Sequence, residues 1–101
     1  MEAISKMTWQ VYIIMCSDNS LYTGITKDVV RRIFQHKSGQ GAKYFRGRQP
    51  VRLIYLESGH NLSTAIRKEA SIKRMKRRNK FILISSPTNE ITEATTKFSA
   101  S

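Results

Sequence analysis

The sequence predicts an α+β domain of strands flanked by helices, on three observations. Residues 9–15 and 21–26 are β-branched and aromatic runs on either side of Ser17-Asp18-Asn19-Ser20, a turn-forming group, and read as a hairpin. Residues 28–37 and 62–78 carry apolar side chains at helical spacing. Residues 51–57 alternate again and supply a third strand.

In the first strand Trp9, Val11, Ile13 and Met15 share one face, and Gln10, Tyr12 and Ile14 the other. Whether Tyr12 and Tyr22 converge depends on register, because a one-residue slip exchanges the faces. Pairing Ser17 with Ser20 sets Tyr22 opposite Met15 and separates the tyrosines; an extra loop residue or a bulge sets it opposite Cys16 and joins them. Gly24, at the end of the second run, marks a place where a neighbour or a ligand approaches the backbone.

From residue 28 the period becomes helical. Val29 pairs with Ile33 and Val30 with Phe34, Thr26 or Asp28 can cap the start, and Gly39 the end. Asp28, Arg32 and His36 form a second row, with a guanidinium and an imidazole one turn apart. Residues 38–50 form a loop with three glycines and the cations Lys43, Arg46 and Arg48. Backbone freedom with positive charge suits phosphate contact, and an ordinary solvated loop has the same composition. Gly59 and Asn61 end the third strand.

The second helix carries Leu62, Ile66, Glu69, Ile72 and Met75 on one stripe, so Glu69 sits among apolar residues and needs a cation or a metal as partner. Lys73, Arg74, Lys76, Arg77, Arg78 and Lys80 follow, six cations in eight residues. Residues 81–84 are apolar and are expected to pack back on the body. The domain is thus expected over residues 9–84, after a lead-in of residues 1–8 and before a disordered Ser/Thr/Ala-rich tail of residues 85–101.

Composition speaks to partners. Lys and Arg number 18 against 7 Asp and Glu in 101 residues, a formal net charge of +11, and a polyanion is the natural counterpart. The single cysteine, Cys16, excludes an internal disulfide and a Cys-rich zinc site and reads as a small buried thiol. No apolar run approaches the ~20 residues of a membrane span, and no signal-peptide pattern opens the chain. A soluble cytoplasmic protein without membrane association is the expectation.

The two hairpin tyrosines, Arg32 with His36, and Glu69 stand out chemically. The segments V-Y-I, Y-T-G, R-R-I-F-Q-H and A-I-R-K-E-A-S-I-K closely resemble the GIY-YIG nuclease superfamily over residues 9–84. G-A-K-Y followed by R-G-R-x-P at residues 41–50 is closest to its small single-domain bacterial branch. The resemblance implies a three-stranded antiparallel sheet flanked by helices. It matches Tyr12 to the first motif, with Gln10 and Val11 replacing its glycine and isoleucine, and Tyr22, Thr23 and Gly24 to the second, threonine standing for isoleucine. Arg32 and His36 match the first-helix arginine and histidine, and Glu69 the metal-binding glutamate. Asn79 falls short of the spacing at which many members carry an asparagine and receives no role.

What the resemblance implies is hydrolysis of DNA phosphodiesters with Mg²⁺ or Mn²⁺, in repair or recombination. One carboxylate and a phosphate oxygen suffice for such an ion, which keeps its waters. Arg32 would offset charge on the phosphate, Tyr12, with Tyr22 as its rival, would take the proton where a nearby cation or metal-bound water lowers the phenol pKa, and His36 would share that step or bind phosphate. Lys43, Arg46, Arg48, Lys73, Arg74, Lys76 and Arg77 are the expected DNA-backbone contacts, indifferent to sequence. A protein partner for targeting is a further expectation of so short a chain. Taken singly, each residue has a structural reading: packed tyrosines, a solvated helix face, a Glu69 ion pair with Arg32 or Lys73. The alternatives are a non-catalytic nucleic-acid-binding module on the same scaffold and an interaction protein whose basic helix docks on an acidic partner.

Overall fold

Residues 11–14 are apolar on both faces of their strand and wholly buried, so that strand must lie mid-sheet with cover on both sides. In the computed structural model, which describes residues 7–91, this strand is β1 (Trp9–Cys16), followed by β2 (Leu21–Thr26), α1 (Val29–Lys37), a 3₁₀ turn (Lys43–Phe45), β3 (Pro50–His60), α2 (Leu62–Lys73) and α3 (Arg77–Ile84). The sheet order is β2-β1-β3 and both pairings are antiparallel, so the α+β fold with a three-stranded antiparallel sheet is as expected.

Tyr12, Ile14, Cys16 and Leu53 pack on one face against Val29 and Ile33 of α1 and Phe45 of the 3₁₀ turn; Val11, Ile13 and Tyr55 pack on the other against Ala65 and Ile72 of α2. Cys16 is buried, as its small thiol suggested. Of the two apolar pairs of α1, Val29 and Ile33 face inward, whereas Val30 and Phe34 are 63% and 64% exposed.

The hairpin register is neither of the two expected. Tyr12 faces Gly24 and Ile14 faces Tyr22, because the loop has three residues. Cys16 N–H donates to the Ser20 carbonyl, and Asn19 adopts a left-handed φ of 66°, a conformation that asparagine tolerates. The pairing keeps Tyr22 on the face of Ile14, so the tyrosines converge.

Asp28 caps α1 by accepting from Arg31 N–H at 3.1 Å, while Thr26 Oγ1 accepts from Asp28 N–H at 3.1 Å. Gln10 Oε1 accepts from Val29 N–H at 3.0 Å and fastens the helix to β1. β3 runs beyond its expected end, through Gly59 to His60, and Asn61 caps α2 in a reciprocal box with Thr64.

The expected helix over 62–78 is two helices broken at residues 74–76. Continuing it would set Lys73 over Arg77 and Arg74 over Arg78, like charges four apart. The break turns Leu83 and Ile84 onto the sheet, although Phe81 and Ile82 remain exposed. The apolar stripe is also rotated: Ala65 and Ile72 are buried, whereas Leu62 and Ile66 are about half exposed.

The lead-in and the tail lie largely outside the described residues, but residues 85–91 are described and run along the outer edge of β3. Asn89 Nδ2 donates to the carbonyls of Ile54 (2.8 Å) and Ile84 (2.9 Å), and its Oδ1 accepts from the N–H groups of Leu56 (3.2 Å) and Ile91 (3.0 Å). Glu90 N–H donates to the Leu56 carbonyl at 2.9 Å, and Ile91 then packs on the α1 side. An exposed sheet edge is thereby covered.

Candidate active site

Tyr12 projects from the centre of β1 over Gly24. A Cβ at Gly24 would lie 2.5 Å from the Tyr12 hydroxyl and 3.0 Å from the Tyr22 ring, so the close approach that Gly24 marks is made by the tyrosines themselves. The Tyr12 hydroxyl is 2.9 Å from His36 Nε2, which α1 brings under it. Ala42 N–H donates to His36 Nδ1 at 3.3 Å. With Nδ1 accepting, the ring proton is on Nε2, which donates to Tyr12. Burial, and secondarily Arg32, pushes the His36 pKa down to about 4, so the ring is neutral at neutral pH.

Tyr22 lies beside this pair, 5.3 Å from the His36 ring in an edge contact and 5.1 Å from Tyr44, while Phe45 stacks 4.3 Å from His36. Tyr44 and Phe45 were not singled out by sequence. Gly41 is a further such position, since a Cβ there would come 2.1 Å from His36 Nδ1. Its signal was the G-A-K-Y segment, which was read for its cation and for the family resemblance and not for its glycine.

Arg32 is oriented by Gln35, whose Oε1 accepts from Nη1 at 2.8 Å; the three-residue spacing was visible in the sequence but unused. Burial and then Tyr22 raise the Tyr12 pKa, and Arg32 opposes the rise. Burial raises Tyr22 as well, opposed by Lys73 and Arg32 and assisted by Glu69. Neither phenol is shifted downward: desolvation outweighs the cations. Tyr12 is wholly buried, whereas Tyr22 is partly exposed and can meet water.

Glu69 and Lys73 of α2 therefore stand in the same electrostatic neighbourhood as Tyr22 and Arg32. Glu69 is not buried in the apolar stripe as expected: the side chain is 22% exposed and pairs with Lys73 at 3.2 Å. The rotated stripe places it beside, not among, the buried residues. Among the described residues no group of three His, Cys, Asp or Glu side chains could hold a metal together, and both His36 nitrogens are engaged. One reachable carboxylate does not fit zinc, which takes three or four protein ligands, but does fit a hydrated Mg²⁺ or Mn²⁺ completed by substrate phosphate.

The expected DNA-contact residues divide. Lys43, Arg46, Arg74, Lys76 and Arg77 are exposed. Arg48 is engaged internally: its Nε is 2.9 Å from Asp18 Oδ2, its Nη1 donates to the Tyr44 carbonyl at 3.1 Å, and its guanidinium lies 4.0 Å from the Tyr44 ring. It pins the loop to the hairpin turn.

Among known proteins, the family model of the GIY-YIG catalytic domain matches residues 8–81. A UPF0213 protein of Staphylococcus saprophyticus is 48% identical over 75 residues, 74% of this chain and 92% of that protein. One of Haloquadratum walsbyi is 51% identical over 70 residues, 69% of this chain and 79% of the other. The solution NMR structure of a UPF0213 protein from Bacillus halodurans superposes with a TM-score of 0.52 at 46% identity, covering 79% of this chain and 85% of that one.

Proposed function

Because this chain belongs to the GIY-YIG catalytic domain family, a nuclease-type family, we propose that it is a metal-dependent DNA endonuclease of the repair or recombination type, with Tyr22, Arg32 and Glu69 carrying phosphodiester hydrolysis. The observation that supports the reading is convergence. The Tyr12 hydroxyl lies 2.9 Å from His36 Nε2, and the Tyr22 ring lies 6.2 Å from that of Tyr12 and 5.3 Å from that of His36. Arg32 of α1 with Glu69 and Lys73 of α2 stand near enough to bear on their protonation, although these residues come from four separate elements.

Glu69 would hold a Mg²⁺ or Mn²⁺, which when bound supplies charge stabilisation to the leaving 3′ oxygen. Arg32, held in place by Gln35, presents the rest of its planar donor fork to the non-bridging oxygens and offsets their charge as water attacks phosphorus and the P–O3′ bond breaks. Tyr22 orients that water. It meets water, which the wholly buried Tyr12 does not, and Lys73 and Arg32 oppose the rise that burial imposes on its pKa, so of the two phenols it is the better placed to take the proton of that water. Tyr12 accepts from His36 and keeps its own proton to donate, so its part is to fix the geometry of the cleft. Lys43, Arg46, Arg74, Lys76 and Arg77 hold DNA backbone without reading sequence.

The test is incubation with supercoiled plasmid and Mg²⁺ or Mn²⁺. Nicking is expected for the natural sequence and is lost with EDTA, Arg32→Ala or Glu69→Ala. Salt-sensitive binding without nicking by the natural sequence would overturn the reading in favour of a non-catalytic nucleic-acid-binding module. Weak, salt-insensitive DNA affinity would point to an acidic protein partner instead.

A further inference from the structure

Beside this cleft the surface sinks into a groove of about 330 Å³ where the ends of β1 and β2 meet α1, within the ~300–1,000 Å³ of ligand sites. Trp9 and Ile25 give it apolar wall; Lys27, Arg31 and Arg32 give it three cations against the one carboxylate of Asp28. Asp28 already caps α1, so an entering anion meets the side chains of Lys27 and Arg31. Lys27 Nζ is 5.5 Å from the centre of the Trp9 ring, so a flat ligand on that partly exposed indole carries its charge beside an ammonium. Arg32 and its partner Gln35 line the groove too, while Arg32 also acts on Tyr12, Tyr22 and His36. What fills the groove therefore neighbours whatever Arg32 holds.

A flat π face, a negative charge next to it and a link to the phosphate at Arg32 together describe a nucleotide. We propose that the groove is a subsite for one unpaired nucleotide adjoining the scissile phosphate, its base stacked on Trp9 and its phosphate held by Lys27 and Arg31. This rests on the endonuclease reading and deepens it, because it requires a substrate that is unpaired beside the cut. In an intact duplex the faces of each base are covered by its neighbours, so a duplex can reach the basic surface without covering Trp9.

Trp9 is the single tryptophan and reports directly. In EDTA, where nothing is cleaved, a five-nucleotide oligodeoxythymidine is expected to quench its fluorescence saturably. A blunt duplex binds by anisotropy without that quenching, and inorganic phosphate at equal concentration leaves the signal unchanged. The exposed pair Lys27→Ala/Arg31→Ala weakens oligonucleotide binding about tenfold and lowers the log–log salt slope by about 1.4, at ~0.7 per lost contact. Trp9→Leu, its fold checked by circular dichroism, weakens binding of a labelled oligonucleotide by roughly 5- to 150-fold. Oligonucleotide binding without quenching, equal quenching by phosphate, or undiminished affinity in the Lys27/Arg31 variant each overturn the subsite and leave the endonuclease reading standing. Failure to bind DNA of either form would overturn both.

Discussion

Gly24→Ala tests how tightly the hairpin holds the Tyr12 phenol. The added methyl would lie 2.5 Å from the Tyr12 hydroxyl and 2.7 Å from Cζ, against the about 3.5–4.0 Å of an ordinary contact. The phenol must retreat by roughly 1 Å, yet its ring is wholly buried and its hydroxyl is tied to His36 at 2.9 Å. Overpacking of this kind costs ~1–3 kcal/mol, and the lost hydrogen bond about 1 kcal/mol more. Restricting the unfolded chain offsets ~0.4–1 kcal/mol, and the backbone at Gly24 lies outside the left-handed region, so strain adds nothing. The net is a loss of about 1–3.5 kcal/mol, which for a domain of this size is a fall in Tm of roughly 5–16 °C. Thermal unfolding followed by circular dichroism measures it. A change below about 0.5 kcal/mol, or a rise in Tm, would refute the placement of Tyr12 against Gly24.

Three further outcomes follow from the same structure. The unfolded chain protonates His36 near pH 6.5 whereas the folded chain resists until about pH 4, so stability is full above pH 6.5 and lost as pH falls; between pH 7.5 and 5 the natural sequence should lose about 2 kcal/mol more than His36→Gln in urea unfolding, and equal losses contradict the buried neutral ring. Thr23 Oγ1 is the one buried side-chain polar atom without a hydrogen-bond partner among the described residues, so Thr23→Val should stabilise by ~1 kcal/mol, and a loss of that size would mean the hydroxyl is satisfied. Asn89→Ala removes four hydrogen bonds along the β3 edge and should cost about 2–3 kcal/mol while speeding hydrogen exchange at Leu56; unchanged exchange there would contradict the edge contact.

The hairpin was legible because alternation fixes which residues share a face. Its register was not, since S-D-N-S serves two- and three-residue loops alike, and the positive φ that Asn19 tolerates suits either. The α2–α3 break escaped because apolar spacing through Ile72 and Met75 continues smoothly across it. Arg32, His36 and Glu69 were singled out by residue type and spacing, although the spacing set Glu69 among the apolar residues of α2 and the structure sets it beside them. The partners that orient them were harder to see, because Gly41 contributes by lacking a side chain and Ala42 through its backbone N–H, neither of which a residue letter displays. Asn89 was read as tail because its function depends on a strand edge some thirty residues away in sequence.

Arg32 and Glu69 acting as one unit on a phosphate is the central claim, and a double-mutant cycle on plasmid cleavage reaches it most directly. Arg32→Ala and Glu69→Gln should each slow cleavage by about 10²–10⁴, and the double variant should be little slower than the worse single one. Losses that multiply in full would mean that the two residues serve separate functions, and the account of a shared site would be wrong.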